Sequence, residues 1–206
     1  MKNPYHGLPP DRSASVLIIL DMISDYRFPD GAQVLRAAQR IAPRIRALRE
    51  RMRGAHLATL YVNDNLGRWR SDMRQLVEHC AAPTAKGADV TDILAPHPLD
   101  YFILKPRHSA FYATPLEALL DHLRARRLIL TGVSSHQCVM FTANDAHVRN
   151  FELLIPRDCI AAPTTADTRF ALKYFSSVLA ANTTASSSLR LTALRKARKE
   201  PPARGS

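Results

Sequence analysis

The segment Ala14-Ser15-Val16-Leu17-Ile18-Ile19-Leu20 is a near-unbroken apolar run that stops at Asp21. Side chains alternate between the two faces of a strand, so a run without polar alternation must bury both faces. That requirement points to an inner strand of a parallel sheet with helices on each side. Four similar runs follow: His56 to Val62, Asp100 to Leu104, Arg127 to Val133, and Phe151 to Ile155. Val178-Leu179 with its neighbours reads as a short sixth strand.

Helical patterns fill the gaps. From Ala32 to Met52, Val34, Leu35, Ala38, Ile41, Ile45 and Leu48 recur at helical spacing, with arginines on the other face. Gly54 reads as the residue that closes this helix. Ser71 to His79, Pro115 to Arg126, part of Ser134 to Asn150, and Thr165 to Ser177 are further helical segments, whereas Pro83 to Pro98 is loop-rich. Strands alternating with helices build βαβ units. The expected fold is a single-domain, three-layer α/β/α architecture with a mainly parallel sheet of about six strands. Residues 14–190 form the expected domain, residues 1–13 an N-terminal extension, and residues 191–206 a basic tail read as disordered.

At 206 residues the chain can bury a sizeable core in one domain. No stretch approaches the ~18 apolar residues of a membrane span. The N-terminus lacks the apolar segment of a secretion signal, so a cytoplasmic location is expected. The three cysteines, Cys80, Cys138 and Cys159, are widely spaced and odd in number, which argues against a disulfide framework. The net charge is +11, and Arg190 to Ser206 holds six basic residues against the single acid Glu200. A basic tail can make weak contacts with anions or nucleic acid, but a solvated tail accounts for the same charge. No GxGxxG follows any strand, which disfavours a dinucleotide enzyme.

Ligands of open α/β sheets bind beyond the carboxyl ends of the strands. Asp21 ends the first strand, Lys105 ends the third, and Cys138 follows the fourth. A cysteine at a helix N-terminus feels the positive end of the helix dipole, and unpaired backbone N–H groups there can serve an oxyanion. A neighbouring ammonium favours the thiolate, so a lowered thiol pKa is expected for Cys138. A carboxylate such as Asp21 could accept the thiol proton and deliver it to a leaving group. On position alone, Cys138 is equally well read as a small buried hydrophobe. Cys80 and Cys159 lack such a setting and read as structural.

Three segments resemble motifs of the isochorismatase-like cysteine hydrolase superfamily, which includes nicotinamidases, N-carbamoylsarcosine amidases and ureidoacrylate amidohydrolases. They are Leu20-Asp21-Met22-Ile23-Ser24-Asp25-Tyr26, Lys105-Pro106-Arg107-His108-Ser109-Ala110-Phe111, and Thr131-Gly132-Val133 through Cys138-Val139. The resemblance extends over about residues 14–180. It implies that Cys138 attacks a carbonyl carbon to give a thioester, that Asp21 shuttles protons, and that Lys105 balances charge. It also implies a cis peptide before Ser134, with the N–H groups of Ser134 and Cys138 as the oxyanion hole. No cofactor is implied, the partner is a small-molecule substrate, and the family analogy suggests a dimer or larger assembly.

Departures narrow the chemistry. Ile23 stands where the family often has Gln, and Ser135 where it usually has Thr. Nicotinamidases bind a metal through an Asp and paired His after the second strand. Here that loop reads Asn63-Asp64-Asn65-Leu66-Gly67-Arg68-Trp69-Arg70, so no metal site is expected. The family's true isochorismatases replace the cysteine, which makes vinyl-ether cleavage the lesser alternative to C–N hydrolysis; a catalytically silent scaffold is the other. Trp69 and Arg68 could stack on and pair with a planar, carboxylate-bearing substrate. Tyr26 and Phe28 could wall the pocket, His136 and Gln137 precede the nucleophile, and His108 lies three residues past Lys105.

Overall fold

The computed structural model describes residues 12–194. Its elements run β1 Ser15–Leu20, α1 Gly31–Gly54, β2 Ala58–Asp64, α2 Met73–Ala81, α3 Ala88–Ile93, β3 Tyr101–Lys105, α4 Leu116–His122, β4 Arg127–Gly132, α5 Cys138–Val148, β5 Glu152–Leu154, α6 Thr165–Ser177 and α7 Leu191–Leu194, with a 3-10 turn at Ser186–Ser188 before the last. The strands form one five-stranded sheet in the order β3-β2-β1-β4-β5, and every pairing is parallel.

The first apolar run behaves as its composition demands. All six residues of β1 are buried, and alternate side chains enter separate cores. Leu17 and Ile19 join the core beneath α1, with Ala38, Ile45 and Leu48. Val16, Ile18 and Leu20 join the opposite core, with Leu120 of α4, Ala143 of α5 and Phe175 of α6. Two apolar cores on the two faces of one sheet make the three layers. Each fully buried Leu or Ile contributes roughly 1.5–3 kcal/mol relative to exposure.

Four local readings change. The expected sixth strand at Val178-Leu179 is replaced by a single bridge, Leu154 with Asn182, so the sheet has five strands among the described residues. Val178 instead ends α6, because Ala181 N–H returns to Phe175 O before the chain can extend. Gly54 stays inside α1, and His56 takes the left-handed conformation at φ 55°. Pro83 to Pro98 contains the short helix α3, whose Val90 is buried against the α1 side. Of the expected basic tail, Leu191–Leu194 form a helical turn with Leu194 buried, and Ser15 Oγ donates to Leu194 O at 2.8 Å. Arg195, Lys196, Arg198, Lys199 and Arg204 lie outside the described residues, as do residues 1–11.

Candidate active site

Strand order reverses at the centre of the sheet. β1 leads through α1 to β2 on one side, while β4 leads through α5 to β5 on the other. The chain therefore leaves β1 and β4 in opposite directions and opens a crevice at their carboxyl ends. Asp21 follows β1 and Cys138 opens α5 at that crevice. Gly132 at the end of β4 permits the closeness. Its φ is +107°, and a Cβ there would stand 2.0 Å from Leu20 O. Only glycine fits both conditions. Asp21 itself sits at φ 52°, a conformation that aspartate tolerates better than most residues.

Lys105 ends β3, one strand beyond β2, and its side chain crosses the gap fully buried. Its Nζ lies 2.9 Å from Asp21 Oδ2, 3.6 Å from Cys138 Sγ and 3.9 Å from Asp64 Oδ2, and it donates to Arg107 O at 3.1 Å. Asp21 Oδ1 accepts from Asp64 N–H at 2.7 Å. The 2.9 Å contact makes Oδ2 the ion-pair partner of Lys105. Three sequence-distant residues thus meet around one sulfur. Cys80 and Cys159 are fully buried elsewhere.

The electrostatics correct one expectation. Burial and the Asp21 carboxylate push the Cys138 thiol above its ordinary range, and the pull of Lys105 in the other direction does not offset them. The direction is opposite to the lowered value expected for Cys138. Burial alone would weaken the Lys105 ammonium, but Asp21 and the other partners outweigh it and raise its pKa. Both shifts favour the protonated forms, ammonium on Lys105 and thiol on Cys138.

The crevice opens into a cavity of about 450 Å3, within the range of small-molecule sites. Its lining includes Asp21, Cys138, Ser134, Phe28, Arg68 and His108. The Val133–Ser134 peptide is cis. In the turn before α5, Ser135 N–H donates to Ala161 O, and Gln137 and Val139 N–H both donate to Ser134 O. The Ser134 and Cys138 N–H groups take no part in these bonds.

Three expected pocket residues lie elsewhere. Tyr26 is buried behind the wall, where its hydroxyl donates to Met22 O at 3.3 Å. Trp69 is 79% exposed and outside the lining, because the turn after Leu66 carries it outward. His136 is half-buried and also outside the lining, while its neighbour Gln137 is part of it. Strand-end position alone could have flagged Asp64, which closes β2 and lines the cavity. Asn63 also lines it, fully buried, with its Nδ2 donating to Ile23 O. His108 stands beside the sulfur, with Nδ1 3.7 Å from Cys138 Sγ.

An isochorismatase domain model matches residues 15–187, nearly the whole described chain. The chain belongs to the isochorismatase family. The uncharacterized isochorismatase family protein YaaI of Bacillus subtilis (strain 168) is 38% identical over 173 residues, covering 84% of this chain and 94% of that protein. Among solved structures, a cysteine hydrolase from Pseudomonas syringae pv. phaseolicola 1448A superposes with a TM-score of 0.71 at 23% identity, covering 94% of this chain and all of the other. N-carbamoylsarcosine amidase from Thermoplasma acidophilum superposes with a TM-score of 0.64 at 24% identity, covering 85% of this chain and 98% of its own. These likenesses show a common fold.

Against the isochorismatase family pattern, Ile23 is buried and lines the cavity, giving an apolar wall where glutamine often stands. Ser135 is fully buried, and its hydroxyl finds no partner among the described residues. The loop after β2 supplies Asp64 but no histidine, and no group of three or more His, Cys, Asp or Glu able to hold a metal occurs among the described residues. The donor set does not fit the metal of nicotinamidases. No helix among the described residues is long and apolar enough to cross a membrane.

Proposed function

We propose that the chain is a cysteine hydrolase that cleaves a C–N bond (amide, ureido or carbamoyl) of a small molecule. The observation that carries this reading is the convergence of Asp21, Lys105 and Cys138, with Nζ 2.9 Å from the carboxylate and 3.6 Å from the sulfur. Asp21 Oδ2 takes the thiol proton as Sγ attacks the carbonyl carbon. The oxyanion is received by the N–H groups of Ser134 and Cys138, which the turn leaves unused. Protonated Asp21 then gives its proton to the departing nitrogen, the C–N bond breaks and a thioester remains. Water hydrolyses the thioester and restores the thiol. Throughout, Lys105 offsets the charge that moves between sulfur and carboxylate.

The lining supports a small polar substrate that bears a carboxylate. Asn63 Oδ1 has no donor among the described residues and suits a substrate N–H. Arg27 and Arg68 line the mouth and form no ion pair among the described residues, which suits a carboxylate on the substrate. Ile23, Val34 and Phe28 supply apolar contact. Three unpaired thiols fit a reducing compartment such as the cytoplasm. The relative named an amidase agrees with C–N chemistry.

The test is release of ammonia or amine from a panel of carboxylate-bearing amides, ureides and carbamoyl compounds, with trapping of a Cys138 acyl adduct by mass spectrometry. Turnover in the native chain and none in Cys138→Ala is the expected result. Turnover that survives Cys138→Ala, or no adduct with any compound, would sink the reading and favour a silent scaffold.

A further inference from the structure

The mechanism above leaves one reactive group next to the sulfur without a task. His108 lies in the loop after β3, exposed on the cavity side, with Nδ1 3.7 Å from Cys138 Sγ. Its ring packs on Phe141 of α5, with centroids 5.4 Å apart and planes tilted by 39°. That packing holds the imidazole over the nucleophile from the element that carries the nucleophile itself. Asp21 is differently placed: its Oδ1 is occupied by Asp64 N–H and its Oδ2 is paired with Lys105. The charged groups around the pair are Asp21, Asp64 and Lys105 from the strand ends, and Asp25, Arg27 and Arg68 from the cavity wall.

Hydrolysis through a thioester has two half-reactions with different demands. In the first, the base must accept a proton from sulfur and hand it to the leaving nitrogen. In the second, it must take a proton from water that approaches from the open cavity. We propose that His108 is a further catalytic residue, the base for this second half-reaction. The inference rests on the reading of Cys138 as nucleophile. Water attacks the thioester carbon while neutral His108 accepts one of its protons, giving a tetrahedral oxyanion and an imidazolium. The oxyanion collapses, the C–S bond breaks, and the departing sulfur takes the proton back from His108. The products are a carboxylic acid and the thiol, and both catalytic groups return to their starting forms. An imidazole suits this task because one ring nitrogen can accept a proton from water and return it to sulfur.

The experiment uses p-nitrophenyl acetate, an activated ester that separates the two steps without needing the natural substrate. A burst of nitrophenolate reports acylation of Cys138, and the steady rate that follows reports deacylation. His108→Gln is expected to keep the burst and to slow the steady phase by about tenfold or more, within the usual reach of one general base. It should also remove an inflection of the steady rate in the imidazole pH range. Loss of burst and steady rate in equal proportion, or no change in either, overturns the proposal. Should the variant fail to fold, His108→Asn carries the same burst measurement, and a steady phase unchanged from the native chain overturns the proposal. The two readings fail separately: no acetyl adduct on Cys138 removes the nucleophile, whereas an adduct whose breakdown ignores His108 removes only this role.

Discussion

Two regions of the cavity are built on opposite principles. In the strand-end cluster Lys105 is fully buried and Asp21 and Cys138 are partly buried, and their positions are set by neighbouring parallel strands and by the contact at Gly132. The mouth, with Arg27, Phe28, Arg68 and nearby Trp69, is carried by loops, is exposed, and has no ion pair that fixes its arginines among the described residues. Reacting groups need sub-ångström placement, which packed strands provide. Substrate selection can sit on loops, which accept change without disturbing the core. Chemistry on this chain is therefore expected to be intolerant of substitution, and specificity tolerant.

The sharpest way to break that contrast is Cys138→Ala. It should lower C–N hydrolysis by about 10⁴-fold or more, as loss of a covalent nucleophile does elsewhere. Thermal scans should at the same time show the fold retained, and appreciable residual turnover would move the chemistry away from the strand ends.

Lys105→Met comes next. It leaves the Asp21 carboxylate without its cation, so stability should drop by about 3–5 kcal/mol and turnover by about 10²–10³-fold, read by denaturant unfolding and by steady-state kinetics. A stable, active Lys105→Met would mean that the cluster does not act as one unit.

The same region predicts an alkaline limit. Lys105 and Cys138 have raised pKa values in the fold, and burial pushes the Cys80 and Cys159 thiols up to about 12. A raised folded pKa means that the native state holds its proton more tightly. The stabilising contribution is then complete below the unfolded value, ~8.5 for a thiol and ~10.4 for a lysine, and is lost as pH rises toward the folded one. Tm should fall steadily above about pH 8.5. A flat Tm up to pH ~11 would contradict the burial argument.

The mouth should respond far less. Arg68→Ala is expected to raise KM for a carboxylate-bearing substrate by no more than about fivefold, the size of an exposed ion pair. The effect should fade at high salt and leave kcat unchanged. Trp69→Ala should be the smallest change, within about 0.5 kcal/mol in stability, with unaltered kinetics. A large effect of Trp69→Ala would show that the loop folds over the substrate.

Which parts were legible in the sequence follows from the same contrast. The run up to Asp21 could only be an inner strand, and periodicity located α1 and α6 closely, because burial of a continuous face leaves a pattern in the residues themselves. Asp21, Lys105 and Cys138 could be named because each stands at a strand end or the following turn of a parallel sheet. The loop residues carry no such pattern, so Trp69, Tyr26 and His136 were expected at the pocket although the fold sets them outside its lining.

By itself, then, the sequence determined the layered α/β architecture and the three residues at the carboxyl edge, since hydrophobic burial and strand ends are local properties. Only the tertiary structure decided the rest. It raised the Cys138 thiol pKa instead of lowering it, because burial and Asp21 outweigh Lys105 there. It turned Trp69 outward and Tyr26 into the core, and it set His108 against the sulfur. Proton affinity and contact depend on the summed field and packing of groups far apart in the chain, and no window of residues contains them.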